Sequence, residues 1–266
     1  MDSTTLKGSS WLECGNLDVH YNNTKILSNI KLNIHLRENT VVLGSNGSGK
    51  STLVKTITKL KHPIYKDNCY MKLFGENKIN IWDLRSKLGF VLTELDSRIK
   101  RRMTIDDVIL SGYEGTMGIL KNSITDINRK ITLEQILNEF DLKDINKQYV
   151  NLSDGQRRRV LIARSVINKP MVLVLDEPTS MLDIKAFYTL LDLLSRLAKK
   201  GTTLFYTTNN VESIIKETKR IILLKEGVIV DDGTPNEVLT SEKISKLYNF
   251  NIEIKRVNGY WKIFPR

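Results

Sequence analysis

Cysteine and histidine are scarce in this chain of 266 residues. The two cysteines, Cys14 and Cys69, stand far apart and form no CxxC pair. That spacing excludes a zinc-finger or disulfide framework and predicts two reduced, buried thiols. The three histidines are His20, His35 and His62, so most of the chain lacks a side chain that titrates near neutral pH. No apolar run approaches the ~20 residues that span a bilayer. The opening MDSTTLKGSS has no charged-then-apolar leader pattern. The expectation is a cytoplasmic protein, or one held peripherally on the cytoplasmic face of a membrane through a partner. Internal repeats and low-complexity segments are also missing.

What is present describes a globular protein. Apolar residues make up 41% and charged residues 27%, and the length suits one large domain or a core with a subdomain. Lysine and arginine exceed the acids by 11. A basic surface can attract nucleic acid, anionic lipid or nucleotide. Here the excess is diffuse, with local clusters at Arg98–Arg102 (RIKRR) and Arg157–Arg159, and it assigns no function alone.

The stretches WLECGNLDVHY and KILSNIKLNIHL alternate at period two, as half-buried antiparallel strands do. TVVLG reads as a buried parallel strand, followed by a helical KSTLVKTITKL. Residues from about 95 to 165 read as a helical insertion, with breaks at Asp141 and Asn151 and a cap at Ser153. MVLVLDEP predicts a buried strand and KAFYTLLDLLSRLAKK an amphipathic helix ended by Gly201. TTLFYTT predicts a strand, VESIIKETK a helix, and RIILLKEGVIVDDG a strand pair turning at Glu226-Gly227. Asn258-Gly259 marks a terminal hairpin. Strands alternating with helices indicate an α/β fold with a parallel core sheet. The expected organisation is a flexible stretch over 1–10, a domain over 11–240 and a C-terminal helix and hairpin over 241–266.

The segment Gly44 to Ser51 fits GxxxxGK[ST] between a strand and a helix. Gly44, Gly47 and Gly49 let backbone N–H groups converge on phosphate oxygens. The helix from about Gly49 aims its positive end at the same anion. Lys50 adds a charge at the β- and γ-phosphates, and the Ser51 hydroxyl can ligate Mg²⁺. A loop of this kind requires an acidic strand end. VLVLDEP provides Asp176 for the metal and Glu177 to accept a proton from water.

Between these motifs, LSDGQRRRVLIARSVINKP (Leu152–Pro170) resembles the signature motif of the ATP-binding cassette (ABC) family, and TSMLD (Thr179–Asp183) resembles its D-loop. The resemblance covers roughly Trp11 to Thr234. It implies a P-loop NTPase with an N-terminal antiparallel β-subdomain and a helical signature subdomain. It further implies an Mg²⁺-dependent ATPase in which two cassettes pair head to tail, as a homodimer or heterodimer, with ATP between one P-loop and the other signature. By that resemblance Tyr21 stacks on adenine. Gly44, Ser45, Asn46, Gly47, Ser48, Gly49, Lys50, Ser51 and Thr52 cradle phosphates. Ser153, Gly155 and Gln156 act across the dimer, Asp154 points away from the phosphate, and Asp183 links the subunits.

Two positions depart from the family pattern. Thr93 stands where a metal- and water-sensing glutamine is usual, with Glu94 beside it as a charged alternative. Asn209 stands at the position of a histidine that contacts the γ-phosphate. An amide donates a hydrogen bond but carries no imidazolium charge, so turnover is expected to be slow. The segment Val108–Leu120 is glycine-rich where transporter cassettes have a helix facing the membrane subunit. That segment and the terminal hairpin are similar to single-cassette ATPases related to ModF. The leading expectation is the ATPase subunit of a transporter with a transmembrane permease partner. The alternatives are a soluble ATPase acting on nucleic acid or ribosomes, and a slow nucleotide-gated switch.

Overall fold

A computed structural model describes residues 9–99, 102–115, 127–142 and 148–266. The period-two stretches at the front are β1 (Ser10–Tyr21) and β2 (Thr24–His35), paired antiparallel. Asn22 and Asn23 both take positive φ in the turn between them, the conformation a two-residue hairpin needs. Next come β3 (Thr40–Leu43), buried at every position, and α1 (Lys50–Ile57). The strand β4 (Tyr70–Leu73) joins the far side of β1, giving the order β2-β1-β4.

The core sheet continues through α2 (Ile81–Lys87) and β5 (Leu88–Val91). A 3-10 turn over Thr93–Arg98 then leads into α3 (Ile105–Glu114), α4 (Ile127–Glu139) and α5 (Asp154–Val166). This is the expected helical insertion. The chain returns through β6 (Val172–Leu175), α6 (Ile184–Lys199), β7 (Thr203–Thr208), β8 (Arg220–Lys225) and β9 (Val228–Gly233). The six-stranded order is β5-β6-β7-β3-β8-β9, parallel except for β9. After α7 (Pro235–Val238) come α8 (Ser241–Tyr248) and a hairpin of β10 (Ile252–Val257) and β11 (Tyr260–Pro265). The Glu226-Gly227 and Asn258-Gly259 pairs have positive φ throughout, so both turns form where expected.

Burial follows the patterning. The α6 residues Leu190, Leu191, Leu193, Leu194 and Leu197 lie in one continuous core with β6 and β7. Trp11 and Phe205 are fully buried and meet edge to face at 5.8 Å. They join the antiparallel sheet to the core sheet, a contact that adds to plain area burial.

Three expectations change. Residues 1–8 lie outside the described residues, and Ser10 already belongs to β1. VESIIKETK is not an α-helix: it makes only a 3-10 turn over Val211–Ser213. There Asn210 accepts from the Glu212 N–H, and Ser213 Oγ donates to the Asn210 carbonyl. Side-chain bonds of this sort compete with helix propagation, and Ile214 and Ile215 both enter the core. Cys14 is buried, whereas Cys69 is only half-buried. The described part of Val108–Leu120 lies in α3, in keeping with the helical reading of the insertion, and residues 116–120 lie outside the described residues. Gly112 serves packing there: a Cβ on it would sit 2.2 Å from the Arg164 carbonyl of α5.

Candidate functional site

Because β6, β7 and β3 are adjacent and parallel, the segments leaving their carboxyl ends converge. Open parallel sheets collect ligands at that edge. The segments are the glycine loop after β3, Asp176-Glu177 after β6 and Asn209 after β7. A cleft of about 610 Å³ lies there, within the range of small-molecule sites. Of the expected residues, Asn46, Gly47, Gly49, Lys50, Ser51, Thr52, Thr93, Glu94, Asp176 and Glu177 line it.

The glycine loop is shaped for an anion. Gly49, the N-cap of α1, has φ 103°, and no side chain caps the helix or places an acid in its first turn. The first N–H groups are therefore left for a ligand. Lys50 Nζ donates to the carbonyls of Gly44 and Ser45, both at 2.9 Å, and lies 3.1 Å from Glu177 Oε1. Those three acceptors match the three donors of a buried ammonium. The Gly227 N–H donates to the Ser48 carbonyl at 2.9 Å, tying the loop to the β8–β9 turn.

The acidic pair is organised by a residue that sequence reading missed. Thr207 Oγ1 donates to Asp176 Oδ1 at 2.7 Å and accepts from the Glu177 N–H at 3.0 Å. Asp176 is 3% exposed, so its carboxylate needs such a donor. Glu177 has φ 45°, a left-handed backbone that costs a non-glycine residue on the order of 1 kcal/mol or more. The Thr207 bond helps hold it there. The available signal was a hydroxyl at a buried strand end beside the acidic strand. Ile26, Lys55 and Leu92 also line the cleft and were missed.

Asn209 Nδ2 donates to Asn46 Oδ1 at 2.9 Å, so the loop after β7 touches the glycine loop. Glu94 lines the cleft but forms an ion pair with Lys55. That partner competes with the metal-ligand role expected for it. Among the described residues, no three His, Cys, Asp or Glu side chains cluster as a metal cage. Ser51 with Asp176 still fits Mg²⁺, which takes one or two carboxylates and completes its shell with phosphate oxygens and water.

Other expected residues lie apart from the cleft. Tyr21 is 62% exposed, with Lys61 Nζ 4.4 Å from its ring centroid. It is not among the cleft-lining residues. Nor are Ser153, Gly155 and Gln156, which open α5. Ser153 and Gln156 form a reciprocal capping box. A Cβ on Gly155 would lie 2.5 Å from the Ala186 Cβ of α6. Asp154 is exposed. Of the neighbouring arginines, Arg157 donates to the Leu152 carbonyl, Arg159 donates to the Phe140 and Asp141 carbonyls, and burial lowers the Arg158 pKa. They serve the fold rather than forming a free basic patch. Of RIKRR, residues 100 and 101 lie outside the described residues.

Comparison with known proteins agrees with this geometry. The family described as ABC transporter matches residues 27–180. An uncharacterized ABC transporter ATP-binding protein of Methanocaldococcus jannaschii is 31% identical over 95% of this chain and 86% of its own length. The energy-coupling factor transporter ATP-binding protein EcfA1 of Mycoplasma genitalium is 31% identical over 86% of this chain and 80% of its own. Among solved structures, a dimeric ATP-binding cassette in a post-hydrolysis state with ADP and Pi superimposes with a TM-score of 0.70. It is 26% identical and covers 84% of this chain and 98% of that one. The cbiO1 protein of Clostridium perfringens, part of the cbiONQ complex, gives 0.71 at 26% identity over 91% and 95%. With the phosphate loop, signature helix and acidic strand in order and most of the chain matched, this protein belongs to the ABC transporter family.

Proposed function

We propose that the chain is the ATP-binding, ATP-hydrolysing subunit of an ABC transporter and works as a head-to-tail dimer. The observation that carries the reading is the meeting of an uncapped helix start, Lys50, Asp176 and Glu177 in one cleft. Backbone N–H groups of the glycine loop and Lys50 bind the triphosphate. Ser51 and Asp176 would hold Mg²⁺, which neutralises charge on the β- and γ-phosphates. The Glu177 carboxylate takes a proton from a water whose oxygen attacks the γ-phosphorus, and ADP leaves. Asn209 donates to the γ-phosphate, and Tyr21 stacks on adenine once Lys61 yields its ring face.

In the dimer, the first turn of α5 with Ser153 faces the γ-phosphate of the other subunit. A transmembrane permease is the proposed partner, with α3 standing where the family presents a helix to the membrane subunit. Among the described residues no helix is long and apolar enough to cross a membrane, so attachment through a partner suits the chain. The nucleic-acid or ribosome alternative drew on the glycine-rich segment and the basic clusters. Helix α3 weakens the first support, and the internally bonded Arg157 and Arg159 weaken the second at that cluster.

The test is Glu177→Gln with ATP, against Lys50→Ala. The first variant should form an ATP-dependent dimer and retain a multi-spanning membrane protein on pull-down from solubilised membranes. The second should do neither. Recovery of ribosomes or nucleic acid instead would establish the soluble ATPase reading.

A further inference from the structure

The last 26 residues, 241–266, fall beyond the 27–180 stretch that the family profile matches, yet they are bonded to the loop that carries Asn209. Tyr248, the last residue of α8, donates its hydroxyl to the Asn209 carbonyl oxygen at 2.8 Å. On the other side, the Asn209 amide reaches Asn46 of the glycine loop at 2.9 Å. One residue is thus held at its backbone by the C-terminal extension and at its side chain by the phosphate site. A second grip follows three residues later. Lys262 Nζ of β11 lies 2.6 Å from Glu212 Oε2 and 3.1 Å from the Tyr188 hydroxyl.

The grip is itself anchored. Lys225 of β8 donates to the Lys246 carbonyl and to Asn249 Oδ1, at 2.7 and 2.8 Å. Asn249 ends α8 in the left-handed conformation, and Ser245 Oγ bonds Ile252 at both its N–H and its carbonyl. Burial, and then the nearby Glu177 carboxylate, hold the Tyr248 phenol above its ordinary pKa. Its proton therefore stays in place to be donated. The loop between the grips is fixed from within by Thr208, Asn210 and Ser213. The direction of the Asn209 amide then depends on what its own peptide is tied to.

We propose that the C-terminal extension positions Asn209 for ATP turnover, with Tyr248 as the positioning residue and Lys262 as its second anchor. The inference rests on the reading of Asn209 as the γ-phosphate donor and deepens it. The Tyr248 hydroxyl is bonded to the Asn209 carbonyl, so it acts by fixing the peptide from which the amide reaches. Reacting groups displaced by about 1 Å can cost ~100-fold in rate, so one relaxed loop bond should cost less. The extension gives whatever moves the hairpin a direct mechanical path to the active site.

The experiment is steady-state ATPase kinetics with Mg-ATP on the full chain, for Tyr248→Phe, Asn209→Ala, the double variant and Lys262→Gln, with thermal unfolding of each. Tyr248→Phe should lower kcat by roughly 3- to 10-fold, with KM for ATP within about 2-fold and Tm unchanged. The double variant should be no slower than Asn209→Ala alone, because both changes act through one group. Unchanged turnover in Asn209→Ala would overturn the role of Asn209 on which the inference depends. A slow Asn209→Ala beside a wild-type Tyr248→Phe would overturn the inference and leave that role standing. Independent losses in the double variant, or a lower Tm with kcat intact, would make Tyr248 structural only. Should Tyr248→Phe fail to fold, Lys262→Gln decides, since a matching kcat loss supports the extension and wild-type kcat refutes it.

Discussion

Lys50 and Glu177 face each other across the cleft, with Nζ 3.1 Å from Oε1. The ammonium proposed to bind phosphate is thus paired with the carboxylate proposed to accept the proton of water. The lysine side chain is 3% exposed and the glutamate 24%, so water screens the pair only partly. On the proposed function, a triphosphate would compete for Lys50 and so free Glu177 to act as a base. Under that reading, binding and base activation would be linked through this one contact.

Substituting either partner should separate those two steps. Glu177→Gln is expected to keep ATP binding while losing turnover by about 10²-fold or more, the usual worth of a general base. Lys50→Ala should weaken ATP binding by at least about tenfold, roughly 1.4 kcal/mol. Equilibrium binding of a fluorescent ATP analogue and a phosphate-release assay measure both. Full turnover in Glu177→Gln would remove Glu177 from the mechanism.

Thr207→Val keeps the shape of a buried strand residue and deletes both bonds to the acidic pair. The Asp176 carboxylate and the Glu177 N–H each lose a partner, which should cost about 1–3 kcal/mol of stability. Glu177 also loses a restraint on its left-handed backbone. Turnover is expected to fall about tenfold while ATP binding changes little. Chemical denaturation and kinetics on the same preparation check the two effects together.

At Asn209, a histidine would restore a cationic donor where the chain has a neutral amide. Asn209→His should raise kcat on the order of tenfold, given the worth of a single charge-stabilising donor. Wild-type turnover below about ten per second, the median for enzymes, is the matching expectation. A wild-type rate well above that, unchanged by the substitution, would show that the amide suffices.

Stability should carry a pH signature from the start of α3. Burial, with a smaller push from the Asp107 carboxylate, raises the Asp106 carboxyl pKa to about 6, and among the described residues its buried Oδ1 has no hydrogen-bond partner. Between about pH 4 and that value the unfolded chain has shed this proton while the folded chain keeps it. The contribution of Asp106 therefore falls as pH rises through the window and stays lost above it. Asp106→Asn should flatten this part of the profile and raise Tm at pH 7.5, which calorimetry across pH would detect.

Gly155 tests whether the signature is a structural joint as well as a ligand. Gly155→Ala brings a methyl carbon to 2.5 Å from the Ala186 Cβ, so α5 and α6 must part, at about 1–3 kcal/mol. Adding Ala186→Gly should recover most of that stability. If Tm returns while ATPase activity does not, the glycine is needed at the dimer site too.

The sequence by itself determined the chemistry-bearing motifs, because each is local. The glycine loop lies between a strand-like run and a helical one, and VLVLDEP reads as a buried strand ending in acids. Alternation at period two fixed β1 and β2, and Asn258-Gly259 fixed the last hairpin. Tertiary structure decided what depends on contacts between distant segments. The stretch VESIIKETK has helical spacing, yet capping by Asn210 and Ser213 and the burial of Ile214 and Ile215 hold it to a single turn. Gly112 sits in a predicted helix, but that it lets α3 approach the Arg164 carbonyl of α5 shows only in the packing. Glu94 looks like a free metal ligand and is engaged by Lys55. Thr207 and Tyr248 carry no motif at all. They reach Asp176, Glu177 and Asn209 only because parallel pairing puts β6 beside β7 and because α8 folds back on the loop after β7. A hydrogen bond between residues some 30 or 40 positions apart leaves no periodicity to read, since its geometry exists only once the sheet has assembled.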